Sequence, residues 1–173
     1  VRKLATRLRS MGIGAGDRVV AYMPNLPETV IAMLATTAIG AVWSSAAPEF
    51  GAQTVIDRFS QIAPKLVFAV NGYRYGGKDF DRSADLDRIL AALPTVETVV
   101  MLDYLPGAGI RDTATPWGDL FTGPEVPRNG FAFTRVDTDH PLWVLFTSGT
   151  TGLPKPITHG HHGIVLEHLK TAA

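Results

Sequence analysis

The chain contains no cysteine, so no disulfide can brace it and no thiolate can hold a metal. That absence is compatible with a reducing cytosol, and a cytoplasmic location is the expectation. An excess of charge is also missing: 16 Lys and Arg balance 16 Asp and Glu. No net field draws the chain to nucleic acid or to an anionic membrane, so neither is an expected partner, and any anion site has to come from local geometry. There is no long apolar run either. The longest, residues 29–43, is interrupted by Thr36, Thr37 and Gly40 and falls short of the ~20 residues that a spanning helix needs. What is present is 46% hydrophobic content over 173 residues, enough for one domain with a sizeable core. The 12 prolines are spread through connections instead of gathering into a linker, so no internal domain boundary is marked.

Helical and strand periodicities alternate along the chain. Val1, Leu4, Leu8 and Met11 form one stripe of a basic helix over residues 1–11, which Gly12 and Gly14 end. Residues 17–23 read as a strand stopped by Pro24. Asn25, Pro27 and Glu28 then supply a cap, a first-turn proline and an acid three places after the cap, predicting a helix over 26–39 that Gly40 closes. Strands over 41–45, 66–71 and 97–102 alternate with helices over 52–62 and 79–93, the latter with Leu86, Ile89, Leu90 and Leu93 on one face. The alternation predicts an α/β fold, a doubly wound, mostly parallel sheet with helices on both faces, whose ligands bind beyond the carboxyl ends of the strands. Residues 103–139 are rich in proline and glycine, with a short helical anchor expected at 117–121. An apolar helical pattern is already running at Val1 and still running through Ile164, Leu166 and Leu169, so the chain is expected to be an internal piece of a longer protein, with the remainder of that protein as its partner.

The densest chemistry lies at 146–155. Residues 141–147 read as a buried strand, started by Pro141 and stopped by Ser148. Beyond it come four hydroxyls, Thr147, Ser148, Thr150 and Thr151, with Gly149, Gly152, Leu153, Pro154 and the cation Lys155. The glycines allow backbone conformations in which N–H groups converge on an anion, and the hydroxyls add donors. A polyphosphate suits such a loop. It is not a Walker A loop, because Lys155 sits between Pro154 and Pro156 instead of following a glycine and preceding Ser or Thr. Nor is Ser148 a nucleophile elbow, since Phe146 stands where that motif needs glycine.

The ten residues from Phe146 to Lys155 resemble the signature loop of the adenylate-forming superfamily, which includes acyl-coenzyme A synthetases, luciferases and the adenylation domains of peptide synthetases. The resemblance implies part of the large N-terminal AMP-binding domain, the C-terminal domain being absent. It also implies that Thr147, Ser148, Gly149, Thr150, Thr151, Gly152 and Lys155 hold the phosphates of ATP, with Lys155 and Thr151 as the catalytic pair. The implied cofactors are ATP, Mg²⁺ and coenzyme A, and no protein-held metal site is expected. Upstream, Gly12 to Val19, Pro24, Asn25, Glu28 and Gly40 to Val42 are similar to scaffold motifs of acyl-coenzyme A synthetases. Trp43, Pro48 to Gly51, Asp57 to Phe59, Pro64, Lys65, Leu142, Trp143 and His161 to Ile164 resemble the branch that activates acetoacetate more than the branch that activates acetate. Acetoacetate is therefore the implied acid. An acetyl- or other short-chain synthetase, a carrier-protein thiol as acceptor, and a non-catalytic ATP-binding module stay open.

Two secondary features follow. Residues 72–78 place Arg74 and Lys78 among glycines and tyrosines, and in the synthetases resembled a basic loop here can meet the 3′-phosphate region of coenzyme A; the alternative is a solvated surface loop. His159, after a short strand at 156–158, is expected to shape the wall of the acyl pocket. His161, His162 and His168 are expected to cap or face the next helix, since Mg²⁺ prefers oxygen ligands. Trp43 and Trp143 are expected in the core.

Overall fold

The computed structural model describes residues 1–147 and 152–173. In chain order the elements are α1 (Arg2–Ser10), β1 (Arg18–Tyr22), α2 (Pro27–Ala38), β2 (Val42–Ala46), α3 (Ala52–Phe59), β3 (Leu66–Val70), β4 (Gly72–Tyr75) and β5 (Lys78–Asp81). They continue with α4 (Ser83–Ala91), β6 (Thr98–Leu102), β7 (Thr115–Pro116), β8 (Pro141–Phe146), β9 (Pro156–Gly160) and α5 (His161–Ala172). Seven strands form one sheet in the order β7-β6-β3-β1-β2-β8-β9, parallel throughout except for the antiparallel edge strand β9.

Strand alternation divides the core into two layers. On one face Val19 and Ala21 of β1 and Leu66, Phe68 and Val70 of β3 meet Leu4 and Leu8 of α1 and Ala32 and Ala35 of α2. On the other face Val20, Tyr22, Val67 and Ala69 meet Val55 and Phe59 of α3 and Leu86 and Ile89 of α4. Helices thus cover both faces, as a doubly wound sheet requires, and β1 and β3 are buried on both sides because parallel strands lie inside. The large side chains Tyr22, Phe59 and Phe68 are fully buried, each gaining about 1.5–3 kcal/mol from removal of apolar surface from water.

Several ends differ from the sequence expectation for local reasons. Leu26, not Asn25, is the residue before α2, and Pro27 takes the first helical position; Thr29 Oγ1 bonds the Pro24 carbonyl at 2.7 Å in place of a capping box. After α3 the helix tightens to a 3-10 turn at Ser60–Ile62, and Ala63 enters the left-handed region at φ 46°. Arg18 donates to the Ile62 and Ala63 carbonyls, both at 2.8 Å, satisfying groups that the helix end leaves open. Residues 117–121 also form a 3-10 turn, placing Leu120 in the core.

The helix expected from residue 79 starts only at Ser83, because residues 72–81 form a hairpin. Gly76 and Gly77, with φ of 57° and 75°, make the two-residue turn whose twist matches paired strands. Tyr73 stacks on Phe80 across the pair at 5.0 Å between ring centroids. Gly72 is required by close approach, since a Cβ there would lie 2.5 Å from the Phe80 carbonyl oxygen and 2.8 Å from Leu105 Cδ2. Gly72→Ala is expected to destabilise the fold by about 1–3 kcal/mol, read as a lower thermal midpoint; an unchanged midpoint would contradict this packing.

Candidate functional site

The carboxyl ends of the parallel strands carry the candidate site. β8 enters the sheet beside β2, with Trp43 opposite Trp143, and Ser44 Oγ donates to the buried Val144 carbonyl at 2.7 Å. Trp43 is buried, as expected, whereas Trp143 is only partly so. From Phe146 the chain runs into the hydroxyl-rich loop and returns as β9, with Phe146 paired to Pro156. The strand expected over 156–158 extends to Gly160, and the loop therefore joins two antiparallel neighbours.

Two bonds fix the neck of that loop. Thr147 N donates to the Lys155 carbonyl at 3.1 Å, and Lys155 N donates to Thr147 Oγ1 at 3.3 Å. Among the described residues nothing accepts from the Thr147 hydroxyl, whose proton is left for another acceptor. Gly152, at φ 105°, uses backbone freedom that a side chain would oppose. Lys155 is exposed and has no carboxylate partner among the described residues. A cation left uncommitted at a rigid neck fits a polyphosphate. The predicted site residues Ser148, Gly149, Thr150 and Thr151 lie outside the described residues.

The basic hairpin has its own electrostatics. Arg74 grips Asp79 through Nε to Oδ1 and Nη2 to Oδ2, the latter at 2.9 Å, and this hydrogen bonding holds the Asp79 carboxyl below the usual carboxylate range. Lys78, exposed beside the turn, has no ion pair among the described residues. The hairpin is anchored below by Asn71, whose fully buried amide accepts from the N–H groups of Tyr104 and Leu105 and donates to the Leu105 carbonyl and to Asp103.

Sequence reasoning missed a polar network under the connection from β2 to α3. Tyr22 donates toward the Pro48 and Phe50 carbonyls, each at 2.9 Å, and burial pushes its phenol up to about 12. Arg82 reaches the Pro48 carbonyl, Asp85 and the Tyr73 hydroxyl, joining this connection to the hairpin. The signal in the sequence was a tyrosine following the apolar run Val19 to Ala21 of β1, a buried ring whose hydroxyl needs a partner. Gln61, also unnoticed, bonds the Pro154 carbonyl at 2.8 Å.

His159 is half-buried with its ring against Trp143, at 6.5 Å between centroids. His161 opens α5 with its ring 5.8 Å from that of His140, and its N–H donates to the His140 carbonyl. His140 Nε2 lies 2.7 Å from the Gly40 carbonyl, so that nitrogen carries a proton. Among the described residues no group of three His, Asp or Glu side chains is placed to hold a metal ion, and no helix is long and apolar enough to cross a membrane.

Comparison with known proteins defines the class first. The pattern of the family described as AMP-binding enzyme matches residues 1–172, and the chain belongs to that family. Within it, the chain is similar to the acetoacetyl-coenzyme A synthetase of Rhizobium meliloti, at 45% identity over 98% of this chain and 26% of that protein. It is also similar to the acetoacetyl-CoA synthetase of Rattus norvegicus, at 41% identity with the same coverage. A solved structure of acetoacetyl-CoA synthetase from Streptomyces lividans superposes with a TM-score of 0.92 and 46% identity, covering 99% of this chain and 26% of that one. The chain thus spans about a quarter of the length of the relatives it matches.

Burial, and secondarily the nearby His140, depress the His161 pKa from its ordinary 6.5. The folded state therefore favours neutral imidazole, and its contribution to stability is present above 6.5 and lost as pH falls through the folded value. Denaturant midpoints should drop as pH falls below 6.5, and His161→Asn should flatten that slope; an identical slope in both proteins would dismiss His161 as the source.

Proposed function

We propose that this chain is part of the large N-terminal domain of an ATP-dependent, AMP-forming acid-thiol ligase that joins acetoacetate to coenzyme A in the cytoplasm. The carrying observation is the exposed Lys155, free of carboxylates among the described residues, at the pinned neck of a Gly/Ser/Thr loop leaving β8 at the carboxyl edge of the sheet. Similarity to acetoacetyl-CoA synthetases over almost the whole chain supports the acid.

The chemistry explains the residue types. A carboxylate is a poor acyl donor because its leaving group would be oxide. Attack of the acetoacetate carboxylate on the α-phosphorus of ATP breaks the bond to pyrophosphate and gives acetoacetyl-adenylate; a thiol then displaces AMP and loses its proton. Lys155 and the hydroxyls of Thr147, Ser148, Thr150 and Thr151 bind the departing phosphates and hold donors where negative charge accumulates, with Thr151 and Lys155 the catalytic pair. Mg²⁺, carried on phosphate oxygens, would neutralise part of that charge. His159, against Trp143 behind the neck, contributes to the acyl side of the site. On the hairpin, Arg74 braces the turn through Asp79 while Lys78 presents its charge to the 3′-phosphate region of coenzyme A.

Pyrophosphate exchange by the full-length protein with acetoacetate, acetate and butyrate side by side tests the reading. Exchange strongest with acetoacetate is expected, and preference for acetate would overturn the choice of acid. Lys155→Ala should slow exchange roughly a hundredfold or more with little change in acid binding; an unaltered rate removes Lys155 from the phosphate site. Lys78→Glu and Arg74→Glu should raise the KM for coenzyme A and spare adenylate formation, and equal damage to both half-reactions would reject the hairpin's role.

A further inference from the structure

Lys155 is flanked by Pro154 and Pro156, whose rings fix their own φ angles and remove their N–H groups. The outgoing limb of the loop therefore has few rotations left, and the orientation of the peptide plane between Pro154 and Lys155 decides where the Lys155 side chain leaves the backbone. That plane is held at both ends. Its N–H bonds Thr147 Oγ1 at 3.3 Å, and its carbonyl accepts from Gln61 Nε2 at 2.8 Å. The first bond lies within the neck, whereas the second comes from a separate element, the 3-10 extension of α3, which is itself seated in the core by Phe59.

The Gln61 amide is suited to this and to little else nearby. Its other contact is the Asp57 carbonyl one turn back, at 2.6 Å, so both neighbours are acceptors and the amide nitrogen must face them. One N–H goes to the helix and the other to the loop. A carboxylate of the same shape would meet two carbonyls with no proton to give. Arg18, bonded to Ile62 and Ala63, fixes the residues just after Gln61 and so gives the side chain a stationary base.

We infer that Gln61 is a positioning residue that orients Lys155 through the Pro154 carbonyl, tying the loop after β8 to the helix that follows β2. The inference rests on the reading of that loop as the ATP-phosphate site. Because the Gln61 side chain is exposed, one hydrogen bond of this kind contributes modestly, and its loss should cost roughly threefold to tenfold in a step that depends on Lys155.

The test compares Gln61→Ala, Gln61→Glu and Gln61→Lys in the full-length protein. Pyrophosphate exchange should fall roughly threefold to tenfold in the alanine and glutamate proteins and recover in the lysine protein, which keeps a donor of similar reach. Release of AMP from preformed acetoacetyl-adenylate by coenzyme A should stay at the wild-type rate in all three. Exchange unchanged without a donor, equal loss in both half-reactions, or a lysine protein no better than alanine would each overturn the role. A second measurement needs no nucleotide: hydrogen exchange at the Lys155 amide should be faster in Gln61→Ala and Gln61→Glu than in wild type, and equal protection would also overturn it. Absence of pyrophosphate exchange in the wild type itself would instead refute the ligase reading, and the amide measurement would still judge Gln61.

Discussion

A buried hydroxyl joins two stretches of chain one hundred residues apart: Ser44 of β2 donates to the Val144 carbonyl of β8, next to the facing pair Trp43 and Trp143. Everything at the candidate site depends on that seam. The strands β3, β1 and β2 form a compact parallel core from the first part of the chain, and the seam, with the bond from His140 to the Gly40 carbonyl just before it, brings β8 alongside. A parallel pairing of this sequence separation closes late and has little local help, so a specific buried hydrogen bond at the join has a structural purpose. Once β8 is in register, its carboxyl end emerges level with the ends of β1 and β2, and the loop beyond it opens at the sheet edge where ligands of doubly wound folds gather.

The two candidate anion sites are built differently. Lys155 stands at the end of a strand hairpin whose neck is closed by backbone groups and one threonine hydroxyl, and its charge is uncommitted among the described residues. The hairpin at residues 72–81 divides its charges, Arg74 spent on Asp79 and Lys78 exposed. Between them lies the Tyr22 and Arg82 network, which ties the connection after β2 to the hairpin. These polar links sit on the carboxyl side of the sheet.

Much of the fold was legible because β1, β3 and β6 are apolar runs bounded by turn residues, and α1 and α4 show their buried face as a simple repeat. Their boundaries fall within a few residues of the expectation. The hairpin is hidden, because Leu86, Ile89 and Leu90 make a helical pattern strong enough to extend back over Asp79 to Asp81, while Gly76 and Gly77, set among charged and aromatic residues, fit an open loop as well as a tight turn. The cap expected at Asn25 gave way to Pro27, which starts a helix by its fixed φ without a side-chain bond. At the site, glycine and hydroxyl spacing exposed the loop, but Gln61 carried no such mark. An exposed glutamine on a helix end looks like solvent-facing surface until a carbonyl from residue 154 is brought against it, and only tertiary structure does that.

The closed neck also changes the thermodynamics of ligand capture. Bringing the ends of a loop together costs entropy in any segment, and here Thr147 and Lys155 are already joined before a ligand arrives. That part of the closure entropy is met in folding and not at association, so a ligand gripped at this neck would keep more of its attraction as net affinity. The same clasp lies just beyond the last pair of the β8–β9 ladder, Phe146 with Pro156, so a load placed on Lys155 is shared with the strand pairing beneath it.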